Sequence, residues 1–213
     1  MLSSDGDTRR LKPAMSNIGV TLLIGSLRKE SFSRKMGQAI PTLAPAEMTF
    51  STVELDELPH YNEDHEAEPP LAYTRFRAAI AASDALLFVT PEYNRSMPGV
   101  LKNAIDVGSR PWGKSVWNGK PAGVISMSSG PVGGFGAHHA LRQSLMSVNV
   151  ATMPHPEAYI GNAGSLFGAD GKLTDRSTID FVSGLLASFQ VWIDQHRHRP
   201  RSTTRPLRAV ANG

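Results

Sequence analysis

Apolar residues fall along this chain in short unbroken runs separated by amphipathic stretches. Ile18–Ile24 (IGVTLLI) is continuous and rich in β-branched residues. It stops at Gly25, the pattern of a parallel strand buried on both faces. Thr49–Leu55 reads as a second strand, and Ala85–Thr90 (ALLFVT) and Ala122–Met127 (AGVISM) as a third and fourth. Val150–Met153 reads as a fifth, continued irregularly through Ile160. Helical spacing fills the gaps: Phe32–Leu43, Leu71–Ser83, a helix opened by Ser96-Met97-Pro98-Gly99 and running to Val107, Ala137–Val148, and Asp175–Arg197. In the last of these Ile179, Val182, Leu185, Leu186, Phe189, Trp192 and Ile193 form one apolar stripe. Strands and helices thus alternate five times. The pattern predicts an α/β domain with a five-stranded parallel sheet and helices on both faces.

Composition narrows the class. The chain has 213 residues, 40% of them hydrophobic, which suits one globular domain. That domain is placed at residues 17–197, with a polar disordered leader at 1–16 and a basic disordered tail at 198–213. No apolar run reaches the roughly 18–20 residues that span a bilayer, so no membrane insertion is expected. The N-terminus lacks the apolar middle of a secretory signal. There is no cysteine, which excludes disulfides, thiolate metal sites and cysteine nucleophiles and fits a cytoplasmic protein. The net charge of +3 is concentrated at the end of the chain, in Arg197, Arg199, Arg201, Arg205 and Arg208. A solvated tail accounts for it. No aromatic residue accompanies these arginines to stack on bases, so no nucleic-acid partner is expected.

In an open parallel sheet, ligands bind beyond the carboxyl ends of the strands, where the strand order reverses. Three loops leave such ends with unusual composition. Gly25–Ser33 (GSLRKESFS) lacks both the G-x-G-x-x-G of a dinucleotide fold and the G-K-[ST] of a triphosphate loop. It offers the hydroxyls of Ser26, Ser31 and Ser33, the guanidinium of Arg28 and a helix start. That set suits a phosphate monoester. The same residues also read as a helix cap, with Ser31 or Ser33 at the N-cap and Arg28 a surface charge. The second loop, Pro91-Glu92-Tyr93-Asn94, is polar and aromatic and can lay a flat heterocycle against Tyr93. It also reads as a simple turn before a helix. The third, Ser128–Gly136, holds Gly130, Gly133, Gly134 and Gly136, which let backbone approach a planar ligand.

These blocks, GSLRKESFSRK, TPEYNRSMPGVLKNAIDVGSRP and SSGPVGGFGAHHALRQSL, resemble the NAD(P)H-dependent FMN reductase family of flavodoxin-like fold, which includes quinone, chromate and azo-dye reductases. The resemblance implies FMN as cofactor, NAD(P)H as donor, small-molecule electron acceptors, and a homodimer or homotetramer. Carried over by position, it implies that Ser26, Arg28, Ser31 and Ser33 hold the phosphate. Pro91, Glu92, Tyr93 and Asn94 then line the isoalloxazine ring, and Ser128 and Gly130 approach the flavin. Two positions depart from the pattern. Glu30 stands where glycine is common and must turn to solvent, and Ser33 stands where asparagine is frequent. No protein nucleophile is implied and no metal is expected, since His138 and His139 are adjacent on a helix and point apart. The alternative is a flavodoxin-like electron carrier without direct NAD(P)H activity. Asn103 and Asp106 are left without a role. Trp112 and Trp117 either cover the cofactor, join a neighbouring subunit, or pack within their loop.

Overall fold

A computed structural model describes residues 17–197 of the protein, so the expectations for residues 1–16 and 198–213 lie outside the described residues. The runs that read as strands owe their continuity to burial on both sides. In β3 (Ala85–Pro91) Ala85, Leu87 and Val89 face one helical layer, and Leu86 and Phe88 face the other. With β1 (Ile18–Ile24), β2 (Met48–Val53) and β4 (Pro121–Met127) it forms a parallel sheet. With β5 (Ala151–Thr152) at the far edge, the order is β2-β1-β3-β4-β5, the doubly wound arrangement that reverses between β1 and β3.

The fifth position differs from a single strand. It holds β5 (Ala151–Thr152) and β6 (Ala158–Ile160), both paired with β4. Pro154 and Pro156 stand between them. Proline has no N–H to give to a ladder, so the edge strand breaks and resumes.

Helices α1 (Phe32–Leu43) and α5 (Arg176–Arg197) cover one face. Met36 and Ile40 of α1 pack with Val182, Leu185, Leu186, Phe189 and Ile193 of α5. Helices α2 (Leu71–Ala82), α3 (Gly99–Gly108) and α4 (Phe135–Ser147) cover the other through Phe76, Ile80, Leu101, Ile105, Leu141 and Leu145. The boundaries of α1, α2, α4 and α5 fall within two residues of those read from the periodicity, and α3 starts at Gly99, the last of the four residues read as its opening.

Trp117 belongs to this second layer and is fully buried. Its ring meets Phe76 edge-on at 5.8 Å, and its Nε1–H donates to the Ile105 carbonyl (2.9 Å). It fits because residue 108 is glycine: a Cβ there would lie 2.5 Å from the indole. The loop joining α3 to β4 lies at the amino edge of the sheet. Trp112 is exposed there under Arg110, 5.6 Å from its ring. Within the protomer, neither tryptophan covers the opposite, carboxyl edge.

Asn103 closes the same layer. Its Oδ1 accepts from the Tyr61 amide (2.7 Å), and its Nδ2 donates to the carbonyls of Leu58 and Pro59 (3.2 and 2.9 Å). One buried amide thus pins the acidic loop after β2 onto α3. Tyr73 assists, donating through its hydroxyl to the His60 carbonyl at 2.7 Å.

His138, in the first turn of α4, is 1% exposed, and both its ring nitrogens are buried without a partner. Its ring stands edge-on to Tyr159 at 4.6 Å. Burial lowers its pKa to about 4; the positive charge of Arg142 adds to this, and Glu157 opposes it.

Two predictions follow from this packing. Trp117→Ala will destabilise the fold by about 3–5 kcal/mol, and Gly108→Ala will also lower the urea midpoint. An unchanged midpoint in either variant would show the contact to be slack. For His138, the native state prefers the neutral ring more than the unfolded state does. Its contribution is therefore complete above about pH 6.5 and is lost as the pH falls toward 4, a loss of about 2–3 kcal/mol. His138→Phe will flatten the urea midpoint over that window; an equally steep pH dependence in wild type and variant would assign the acid lability elsewhere.

Candidate functional site

The site begins where β1 leaves the sheet. The Gly25 amide donates to the Val89 carbonyl at the end of β3 (2.9 Å). A Cβ at residue 25 would lie 2.7 Å from Leu101 Cδ1 and 2.9 Å from Thr90 Oγ1, so any larger residue here would push these side chains aside. Ser26 follows, 3% exposed, and the chain then loops outward through Leu27, Arg28, Lys29 and Glu30.

Ser31 is the N-cap of α1, and its Oγ accepts from the Arg34 amide at 3.1 Å. Its hydroxyl hydrogen remains available to donate. Ser33 is 1% exposed, and its Oγ is buried without a hydrogen-bond partner. The first-turn amides of Phe32 and Ser33 have no acceptor within the helix. No acid stands in that first turn. The Glu30 side chain is 78% exposed and pairs with Lys35 at 3.4 Å, so its charge is turned away. The cap reading and the anion reading of this loop are compatible: Ser31 caps, and Ser33 is left over.

The second loop is a two-residue reverse turn. The amides and carbonyls of Tyr93 and Ser96 pair reciprocally at 3.0 Å around Asn94 (φ 51°) and Arg95 (φ 66°). Asparagine tolerates this left-handed backbone; arginine adopts it at a cost of about 1 kcal/mol. The turn consumes the Tyr93 amide and leaves its ring half exposed. Glu92 reaches across to the third loop. Its Oε2 accepts from the Ala137 amide in the first turn of α4 (3.1 Å), and its Oε1 lies 3.7 Å from Arg95.

In the third loop the glycines serve the protein's own backbone. A Cβ on Gly133 would strike the Tyr159 carbonyl carbon at 2.4 Å, and Gly134 starts α4 at φ 77°. Gly130 has open space around it. The Ser128 hydroxyl donates to the Gly130 carbonyl at 2.9 Å.

Together these segments wall an open cleft of about 230 Å³ at the carboxyl edge of the sheet. Eight of the ten residues singled out from the sequence line it: Ser26, Arg28, Ser31, Ser33, Pro91, Glu92, Tyr93 and Ser128. Asn94 and Gly130 do not; the first is inside the reverse turn, the second lies beyond the wall. Phe32, Met127 and Ser129 line it as well. In the sequence Phe32 is marked only by its place between Ser31 and Ser33.

Among the described residues no group of three His, Asp or Glu side chains is placed to hold a metal ion. None of the described helices is long and apolar enough to cross a membrane.

The donor set fits a phosphate ester carrying a planar group. It combines an orphaned buried hydroxyl, two further serines, a guanidinium and an uncapped pair of amides at a helix start, beside a half-exposed tyrosine ring. Glu92, braced against α4, is engaged as a structural acceptor.

Comparison with known proteins agrees with this geometry. Residues 18–165 match the family model for NADPH-dependent FMN reductase. A quinone reductase of Pseudomonas putida is 55% identical over 179 residues, covering 84% of this chain and 96% of its own length. A 2-hydroxy-1,4-benzoquinone reductase of Burkholderia sp is 39% identical over 178 residues, covering 84% of this chain and 97% of its own. Among solved structures, the flavoenzyme NAD(P)H:(acceptor) oxidoreductase FerB of Paracoccus denitrificans superposes with a TM-score of 0.80 at 41% identity, covering 84% of this chain and 98% of that one. The chain belongs to the NADPH-dependent FMN reductase family, with its flavodoxin-like fold.

Proposed function

We propose that this protein holds FMN in the cleft after β1, β3 and β4 and passes electrons from NAD(P)H to quinones and other small acceptors. The observation that carries this reading is the Ser33 hydroxyl, buried without a partner at the start of α1. A hydroxyl so placed is costly unless a ligand satisfies it. Ser26, Ser31, Ser33, Arg28 and the first amides of α1 hold the phosphate. Pro91, Glu92, Tyr93 and Ser128 form the ring side of the site. When bound, FMN supplies hydride acceptance and its onward release, which no side chain of a cysteine-free protein provides.

The chain's own contribution is binding, orientation and access. Tyr93 offers an aromatic face at the rim. Glu92 keeps the second and third loops at a fixed separation by accepting from the Ala137 amide. The cleft is open enough for donor and acceptor to enter in turn, which suits tolerance of azo compounds, chromate or free flavin besides quinones. Quinone is placed first because relatives up to 55% identical are quinone reductases. A homodimer or homotetramer is part of the same reading, supported by the exposed apolar side chains of Val132, Phe135 and Met146. So is a cytoplasmic location, which suits a chain without cysteine.

The purified protein will bind FMN at micromolar concentration, and the yellow complex will bleach with NADH or NADPH under anaerobic conditions; a colourless protein that stays so in FMN sinks the proposal. Arg28→Ala will weaken FMN about tenfold, the value of one charged hydrogen bond at an exposed position, and leave riboflavin unaffected. Equal losses for both flavins would remove Arg28 from the phosphate site.

A further inference from the structure

Between β6 and α5 the chain makes an excursion, residues 161–175, at the same edge of the sheet as the cleft. Its base is stitched to the third loop. The Ser128 amide donates to the Ile160 carbonyl (3.0 Å), the Asn162 amide to the Gly130 carbonyl (3.0 Å) and the Ala163 amide to the Ser128 carbonyl (3.0 Å). Beyond a short helical turn at Ala163–Ser165 the chain folds into a small hairpin. It is closed by the Phe167–Leu173 bridge and by the Gly168 amide donating to the Lys172 carbonyl (2.9 Å).

That hairpin lies on the first turn of α1. The ring of Phe167 stacks on Phe32 with centroids 6.0 Å apart and planes 11° from parallel. Gly171 faces the aliphatic stem of Lys35; a Cβ there would lie 3.6 Å from Lys35 Cε. Phe32 sits between Ser31 and Ser33, and all three line the cleft. The excursion is therefore a physical bridge from the third loop, at Ser128 and Gly130, to the serines at the start of α1.

We propose that Phe167 is a positioning residue for the cofactor phosphate. Its stack on Phe32 sets the rotation of the first turn of α1, and with it the aim of the Ser31 and Ser33 hydroxyls, relative to the wall at Ser128. The inference rests on the phosphate reading of that turn. It does not follow from hydrophobic stability alone. Phe167 is only partly buried and packs at the margin of the core, whereas Leu166 beside it is buried within the core and anchors the segment. Removing the ring takes the brace from the helix start and leaves the anchor in place.

The test compares dissociation constants for FMN and riboflavin, read by flavin fluorescence quenching, in the wild type, Phe167→Ala, Phe167→Leu and Phe167→Tyr. Thermal unfolding of each apoprotein is recorded alongside. An aromatic pair contact converts to at most about tenfold in binding. The expected result is an FMN constant raised about five- to tenfold in Phe167→Ala, with riboflavin changed less than about twofold. The preference for FMN then returns in Phe167→Tyr, which keeps the stack. Phe167→Leu keeps apolar bulk without the planar ring and is expected to shift the preference in the same direction; it serves if the alanine variant does not fold. A wild-type ratio of FMN to riboflavin affinity in both the alanine and leucine variants would overturn the proposal. Equal weakening of both flavins, tracking the melting temperature, would overturn it too by showing Phe167 to be structural only. If the wild type itself fails to prefer FMN over riboflavin, the phosphate reading falls and this inference with it.

Discussion

The parallel pairing of β1 with β3 is the constraint on which the site depends. It brings Ile24 alongside Val89, so the two chains leave the sheet side by side, and their loops must part in opposite directions to reach helices on opposite faces. The crevice is the space they vacate. Its tightness is visible at Gly25, where a Cβ would press on the side chains of Thr90 and Leu101. A sheet with β2 between β1 and β3 would carry the same loops without bringing them together.

Around that crevice the loops are tied to one another as well as to the sheet. Glu92 joins the second loop to α4, and Asn103 fastens the acidic loop after β2 to α3. The segment after β6 joins the third loop to α1. The polar ties use groups that would otherwise be unpaired in a poorly solvated place, so geometry and polar satisfaction are solved together.

How much of this was legible in the sequence follows from the range of each interaction. The strands and helices were readable because burial on two faces imposes continuous apolar runs, and burial on one face imposes a stripe; both are local. The broken edge strand was half visible, as an irregular stretch, because Pro154 and Pro156 interrupt the pairing without changing the apolar character around them. Glycines 133 and 134 were read as space for a ligand, whereas their space is taken by Tyr159 and by the backbone at the end of β4. Only the partner across the turn distinguishes these cases. Trp117 could not be placed for the same reason: its socket is Gly108, and the match of a large ring to a missing Cβ is invisible to periodicity. The braces made by Glu92, Asn103 and Phe167 are long-range contacts between residues of ordinary local character, and composition carries no trace of them.

The two helix starts at the cleft are not equivalent. The first turn of α4 receives the Glu92 carboxylate on its Ala137 amide, so part of its positive end is already neutralised from within the protein. The first turn of α1 contains no acid, and the nearby Glu30 is directed outward to Lys35. Two like poles thus flank one groove, and only that of α4 is offset by a carboxylate of the protein itself. A ligand with a charged head and a neutral tail meets a single anode, so it has one favourable direction in which to lie. For a ligand so built, the helix starts set the direction before its neutral part makes any contact.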